Sequence, residues 1–187
     1  MSGAAHIDPS NRKVALLISV LALALAFSET LGKSAQTAAL GSNVEAANLW
    51  AFYQAKTIRL TTLRTAAEAL EAQLQQTSGG PARETFQKRI DSWKKDAARY
   101  DSEPETGEGR KELSGRAKVA EQKRDVSLAA YHNYELASAL MQIAIVLASA
   151  EVITGIFALV WISGFMGLVG VAFCLVGYLA PTALHLS

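Results

Sequence analysis

This sequence has only one cysteine and almost no excess of positive over negative charge. Each of these features excludes a class of protein. The only cysteine, Cys174, has no partner in the chain for a disulfide or a paired-cysteine zinc site. The formal net charge is +1, and residues 32–135 carry 16 Lys and Arg against 14 Asp and Glu. Because such a balance creates no positive field to attract phosphates, we expect no nucleic-acid binding.

The sequence also lacks the common signatures of catalysis and cofactor binding. It contains no phosphate-binding loop, nucleophile elbow or dinucleotide fingerprint. His132 and Glu135 have the spacing of half a carboxylate-metal site, but a di-metal bundle needs a Glu-x-x-His pattern twice, with further carboxylates. We therefore expect a non-enzymatic protein with no metal and no cofactor.

Long apolar runs, in contrast, are present near both ends of the chain. About 20 apolar residues cross a bilayer core of about 30 Å as a helix. The sequence therefore predicts an all-α, multi-pass membrane protein with transmembrane helices at 14–31, 136–160 and 165–183, behind a flexible tail at 1–13. The second and third spans are expected to turn at 161–164. Membrane lipid is accordingly a predicted partner.

The first apolar run has two interpretations. It follows Arg12 and Lys13 as the apolar region of a signal peptide would, with a weak cleavage site at Ser34-Ala35. An uncleaved anchor is the favoured interpretation. The positive-inside rule then holds the N-terminus in the cytoplasm and places residues 32–135 in the periplasm, although Lys33, Lys123 and Arg124 favour the reverse.

Residues 32–135 have the pattern of a long antiparallel helical-hairpin stalk. Two apolar seams with coiled-coil spacing flank a run of helix breakers at 77–81, and a second interruption falls at 101–109. The outward seam contains Leu60, Leu63, Ala67, Leu70 and Leu74. The return seam contains Phe86, Ile90, Trp93, Ala97 and Tyr100. Since the seams mirror one another across the breakers, the sequence predicts that Trp93 meets Ala67 in a coiled coil.

Each predicted span carries a stripe of small residues three and four apart, a pattern that favours close helix packing in lipid. The first stripe is Ala15, Ser19, Ala22 and Ala26, for which chance is an equal alternative. The second is Ala144, Ala148, Gly155 and Ala158. The third, the most convincing, is Ser163, Gly167, Gly170, Cys174 and Gly177.

Glu151 lies on the second stripe, where a carboxylate costs on the order of 3 kcal/mol unless it is paired, protonated or hydrated. Hydrogen bonding across a subunit contact is the favoured interpretation, and the alternatives are an ion or proton role and a topology in which Glu151 meets water. Glu29, near a span end and four residues before Lys33, is expected to form a surface pair.

A short run after the first span places aromatic and basic residues on one side of the predicted helix. Trp50, Tyr53, Lys56 and Arg59 could form a docking face for a partner protein, and ordinary stalk packing is an equal alternative. With Asn48, the pattern Trp-x-x-Tyr-Gln-Ala-Lys-x-x-Arg, placed after a span that two basic residues precede, resembles a bacterial membrane-protein family known as domain of unknown function 4337. The resemblance covers the whole order of parts. It implies a bacterial inner-membrane protein with three spans, and it supplies no activity.

Two hypotheses for function follow. The first is an oligomeric membrane scaffold or docking protein that projects a helical stalk. Three spans leave little interior around Glu151, which favours a homo-oligomer. The second is a channel or ion-driven component that uses Glu151.

Overall fold

The computed structural model describes residues 9–76 and 79–183, and every regular element in them is a helix. The four helices are α1 (Pro9–Gln76), α2 (Pro81–Asp101), α3 (Arg110–Thr154) and α4 (Ala158–Leu179). Among the described residues, α1, α3 and α4 each contain a stretch long and apolar enough to cross a membrane. The predicted all-α class and the three candidate spans are confirmed.

The four prolines of the chain mark where helices begin or are interrupted. Pro9 and Pro81 occupy the first position of α1 and α2, where the missing N–H is not needed. Pro104 lies in the connector from 102 to 109, and Pro181 follows the end of α4. Because α1 and α3 contain no proline beyond their first turn, nothing in their backbones interrupts 68 and 45 residues of helix.

The chain divides into two units, which share α1 and α3. We call Gly41–Gln122 the central unit, and Met1–Leu40 with Lys123–Ser187 the terminal unit. Residues 1–8, 77, 78 and 184–187 lie outside the described part, including most of the predicted tail. The rest of that tail is helical, since α1 starts at Pro9 rather than after Lys13.

In the central unit, both predicted seams face inward. All ten seam residues are buried or half-buried, and Leu60, Ala67, Ile90 and Ala97 are buried. Between α1 and α2, Lys94 forms an ion pair of 2.5 Å with Glu71. Between α1 and α3 lies an apolar cluster of Ala46, Leu49, Leu113, Ala117 and Ala120.

The terminal unit is held by bonds from side chains to backbone carbonyls of another segment. Ser28 Oγ on α1 donates to the carbonyl oxygen of Tyr134 on α3 at 3.1 Å. Ser163 Oγ on α4 donates to the carbonyl oxygen of Ala144 at 2.7 Å. Glu29, predicted to pair with Lys33, instead accepts a bond of 3.2 Å from the Gln142 amide. The helices are close enough for short polar groups to reach across them.

The turn between α3 and α4 differs from its predicted position. It lies at Gly155–Phe157 instead of 161–164, and Trp161 is inside α4. Gly155 adopts a φ of 69°, a conformation that costs glycine little, and its N–H closes the last turn of α3 at 2.7 Å on the carbonyl of Glu151. Because Ile156–Val160 is as apolar as a span, hydropathy could not show this turn.

Candidate functional site

Lys56 is the centre of a charged and aromatic cluster in the central unit. Its side chain is buried, with Nζ 3.6 Å from Glu108 Oε2 and over the rings of Phe52 and Tyr100 at 5.2 and 5.4 Å from their centroids. A small cavity of about 150 Å³ adjoins it. Its lining residues are Lys56, Asp96, Arg99, Tyr100, Glu103 and Glu108. A carboxylate and two ring faces together compensate a buried ammonium group.

The connector from 102 to 109 is fastened to the first turn of α3 by Glu112. The Glu112 carboxylate accepts bonds from Ser102 Oγ at 2.7 Å and from the Glu103 N–H at 3.1 Å. The bond from Ser102 holds the pKa of Glu112 below its ordinary range. A Cβ at Gly109 would collide with this carboxylate and with the backbone of the connector, so only glycine fits there.

Ion pairs fasten both ends of the same connector. Asp101 accepts from Arg110 at 2.9 Å and from Lys111 at 3.0 Å, and these cations, Lys111 first, lower the pKa of Asp101. Arg99 holds Glu103 at 2.7 Å, which lowers the pKa of Glu103 and raises that of Arg99. The predicted interruption at 101–109 is therefore an ordered joint. Sequence reasoning missed its role, although the acidic run from Asp101 to Glu108, with Arg99 before it and Arg110 after it, was a usable signal.

The predicted docking face is turned largely inward. Trp50 and Tyr53 pack on the apolar cluster of α1 and α3, and Trp50 Nε1 donates to Glu121 Oε1 at 2.8 Å. Arg110 lies over the Tyr53 ring at 5.7 Å, Lys56 is buried as described, and only Arg59 is exposed. A docking face needs these side chains at the surface. Trp50 and Tyr53 are half-buried and Lys56 is buried within the chain, which favours the alternative of ordinary packing, and the docking face stays a prediction.

The stripe on α4 packs within the chain. Ser163, Gly167, Gly170 and Gly177 are buried, and Cys174 is half-buried. A Cβ at Gly170 would lie 3.1 Å from the Ala137 carbonyl oxygen, one at Gly177 would lie 3.0 Å from the Tyr134 ring, and one at Gly167 would collide with Leu21. The small residues allow α4 to approach both α1 and α3. Since its own chain covers this stripe, it offers no small face to another copy.

The other two stripes behave differently. All four residues of the α1 stripe, Ala15, Ser19, Ala22 and Ala26, are exposed. The α1 residues that face the other helices are Val14, Leu21, Ser28 and Gly32 instead. On the second stripe, Ala144 and Ala148 are buried, whereas Gly155 and Ala158 are exposed at the turn. Small size alone did not identify the inner face of α1.

Glu151 is enclosed near the end of α3. The residue is 6% exposed, and its Oε2 is buried with no hydrogen-bond partner among the described residues. It lies on the buried side of α3, in line with Ala144 and Ala148. A buried carboxylate oxygen without a partner is costly, so this atom is the strongest candidate for chemistry in the terminal unit.

A second polar position, Asn133, is not marked by any pattern in the sequence. Asn133 is fully buried, and its amide donates to the carbonyls of Ala129 and Pro181 at 2.9 and 3.0 Å. It therefore ties the segment after α4 to α3. Nearby, His132 lies 3.6 Å from Glu135, and the described residues contain no cluster of three or more ligands for a metal ion.

The described part of the chain is thus all-helical, with three helices long and apolar enough to cross a membrane and with polar side chains that join helices. The chain belongs to the family described as Domain of unknown function (DUF4337), which it matches over residues 10–180. Comparison with curated proteins and with solved structures finds no match. The family assignment agrees with the resemblance carried by the Trp50–Arg59 run and the order of parts.

Proposed function

We propose that this protein is a non-enzymatic membrane scaffold, anchored by three spans and projecting the central unit as an antiparallel, coiled-coil-like hairpin. The observation that carries the proposal is the interlocking of the polar groups of the central unit. Lys56, Asp101, Glu103 and Glu112 all bind the helices or their connector. Such a network supports a unit whose task is to keep its shape.

The hairpin has a direct chemical test. A carbodiimide joins a carboxylate to an amine without a spacer, so it should link Glu71 to Lys94, which lie 2.5 Å apart on α1 and α2. Lys88 and Glu84, 2.8 Å apart within α2, provide the matched control, because they are linked whatever α2 packs against. Mass spectrometry of peptides from the membrane-bound protein should find both links. The control link alone would contradict the hairpin register.

We further propose that the scaffold is a homo-oligomer. The exposed small stripe of α1 supports this proposal, since these residues would gain close contacts from a neighbouring copy. Native mass spectrometry in mild detergent should give a multiple of the 20.0 kDa chain. Ala22→Leu should lower that mass, whereas Ala172→Leu, another exposed alanine in a span, should not. A monomer at micromolar concentration would contradict the proposal.

The proposed setting is a bacterial inner membrane, with the N-terminus in the cytoplasm and the central unit in the periplasm. Arg12 and Lys13 support this orientation, because they precede the first span and the turn at Gly155–Phe157 is uncharged. A tag inserted at Gly79-Gly80 should be digested in intact spheroplasts. Protection of that tag until lysis would reverse the orientation.

A channel or ion-driven component is the second candidate, and the enclosed Glu151 carboxylate favours it. An ion or proton would be a natural partner for its buried Oε2. Flux of protons or monovalent cations in reconstituted vesicles, abolished by Glu151→Gln and retained in Glu29→Gln, would establish this function. If the oligomer is intact and no flux is seen, the channel function is contradicted and the scaffold function is favoured.

A further inference from the structure

An open apolar groove lies in the terminal unit between the beginnings of α1 and α4. Its volume is about 770 Å³. Residues that form its walls include Leu17, Phe157, Trp161, Gly164 and Phe165. The aromatic walls are mostly exposed, as expected for helices that meet lipid. The shape distinguishes this place from a flat lipid-facing surface, because a concave wall can hold one chain along its length.

Among the described residues that line this groove, the only charged side chain is a basic one. Lys13, near the start of α1, is one of its lining residues, and no acidic side chain is among them. Lys13 and its neighbour Arg12 are exposed, and Lys13 forms no ion pair with the described side chains. An apolar groove with an exposed ammonium group at its edge is complementary to a molecule with an acyl chain and an anionic head.

A second apolar concavity on α4 provides an internal reference. It has about a third of the volume, about 250 Å³, and its lining contains no charged residue. Leu168, Val169, Ala172, Phe173 and Val176 line it. Any lipid can cover such a surface, whereas the Lys13 groove discriminates between headgroups.

We propose that the Lys13 groove is a binding site for an anionic phospholipid. One acyl chain lies against Leu17, Trp161 and Phe165, and the phosphate pairs with the Lys13 ammonium. Basic pockets between helices near the membrane surface recognise anionic headgroups in this way. Trp161 suits the boundary between chain and headgroup, since its ring is apolar and its N–H can donate.

The fluorescence of Trp161 tests the proposal directly. Trp50 and Trp93 belong to the central unit, so Trp50→Phe and Trp93→Phe leave Trp161 as the only tryptophan. This protein is placed in phosphatidylcholine vesicles that contain a fixed minor fraction of brominated phosphatidylglycerol or brominated phosphatidylcholine. Quenching should show an association about fivefold tighter for the anionic lipid, the effect of one lysine near a membrane surface.

Two variants and one control sharpen the test. Lys13→Gln should reduce the lipid preference to nearly one, and Lys33→Gln, which removes an exposed lysine outside the groove, should leave it unchanged. Gly164→Leu should fill the groove without a clash, because a Cβ there meets nothing within 4 Å. It should therefore abolish the preference without lowering the midpoint of the circular dichroism melt, since leucine also favours the helix more than glycine does.

Three results would overturn the proposal. Equal quenching by the two lipids in the parent would remove the discrimination, and a preference that survives both Lys13→Gln and Gly164→Leu would place it elsewhere. If Gly164→Leu lowers the native mass and leaves the lipid preference intact, a second copy of the chain occupies the groove.

Discussion

The terminal and central units are both helical, but different side chains hold their helices together. In the terminal unit, glycines bring α4 close to the backbone of α3, and Ser28 and Ser163 donate to carbonyls across helices. In the central unit, helices are joined by large apolar side chains and ion pairs, with Ile90 and Leu113 fully enclosed. The terminal unit thus combines close glycine contacts with serine hydrogen bonds between helices, whereas the central unit combines apolar seams with ion pairs between helices.

The difference follows from the solvent that each unit meets. In water, burial of a large apolar side chain stabilises by about 1.5 to 3 kcal/mol, so seams of such residues assemble helices. Lipid tails are as apolar as leucine, so this driving force is missing, and close backbone packing with short hydrogen bonds replaces it. The same substitution should therefore have opposite consequences in the two units.

The largest effect is expected from truncation of the central seam. Ile90 is 1% exposed, so Ile90→Ala should remove its packing, leave a cavity and lower the free energy of unfolding of the central unit by about 2 to 5 kcal/mol. Ile58→Ala is the matched control, because Ile58 is 67% exposed on the same unit. Hydrogen exchange of the α2 amides measures the change. Similar protection in both variants would contradict the inward seam.

Replacement of a glycine by leucine should change stability in opposite directions in the two units. Gly170→Leu meets a backbone carbonyl oxygen at 3.1 Å, which cannot move like a side chain, so we expect a loss of about 1 to 3 kcal/mol and separation of α4 from α3. Gly115→Leu in the central unit meets nothing within 4 Å and should stabilise α3 by about 0.5 to 1 kcal/mol. Thermal unfolding in detergent compares them. A destabilised Gly115→Leu with an unchanged Gly170→Leu would reverse the comparison.

Removal of one hydroxyl group should have a smaller effect. Ser163→Ala deletes the bond to the Ala144 carbonyl and should cost about 0.6 kcal/mol, the average for a hydrogen bond between membrane helices. Ser149→Ala deletes a bond within α3, to the Ile145 carbonyl, and should not separate helices. The free energies of unfolding of the two variants are compared by denaturation in mixed micelles. Equal losses would mean that the interhelical bond has no special role.

The connector should respond to pH, with the smallest effect because its charges are partly exposed. Asp101, Glu103 and Glu112 have lowered pKa values in the folded protein. Their stabilisation is therefore present above the ordinary values of 3.8 and 4.5 and is lost as pH falls through the lowered ones. Protection of the connector amides, corrected for intrinsic exchange, should fall in that range. Glu112→Gln should weaken the dependence, and a pH-independent protection in the parent would contradict it.

Much of the helical architecture was predictable because periodicity and hydropathy are local properties. The seams, the breakers before Pro81, the inward position of Glu151 and the packing role of the α4 glycines all follow from spacing. The turn at Gly155 was not predictable in this way, since the residues that follow it are as apolar as those of a span. One glycine conformation, rather than a polar loop, ends α3.

Features that depend on contacts between distant segments could not be predicted from the sequence. The α1 stripe faces outward because the opposite side of α1 meets α3 and α4. Its sequence could not show this, since alanine is acceptable on either side. Likewise, the spacing of Trp50 and Lys56 suggests an exposed binding face. In the structure, Trp50 pairs with Glu121 on α3 and Lys56 pairs with Glu108 in the connector, and neither partner is evident from the sequence. Asn133 gains its partner from Pro181, 48 residues away.

Labelling of two positions with similar exposure distinguishes a terminal unit that meets lipid from a central unit that meets water. Ile58 in the central unit is 67% exposed and Leu168 on α4 is 70% exposed, yet the first should meet water and the second lipid. In a Cys174→Ala background, single cysteines at these positions are treated with a membrane-impermeant maleimide in open membrane fragments, which gives the reagent access from both sides. We predict rapid labelling of Ile58→Cys, and labelling of Leu168→Cys only after detergent denaturation. Equal labelling of both in the intact membrane would contradict the account.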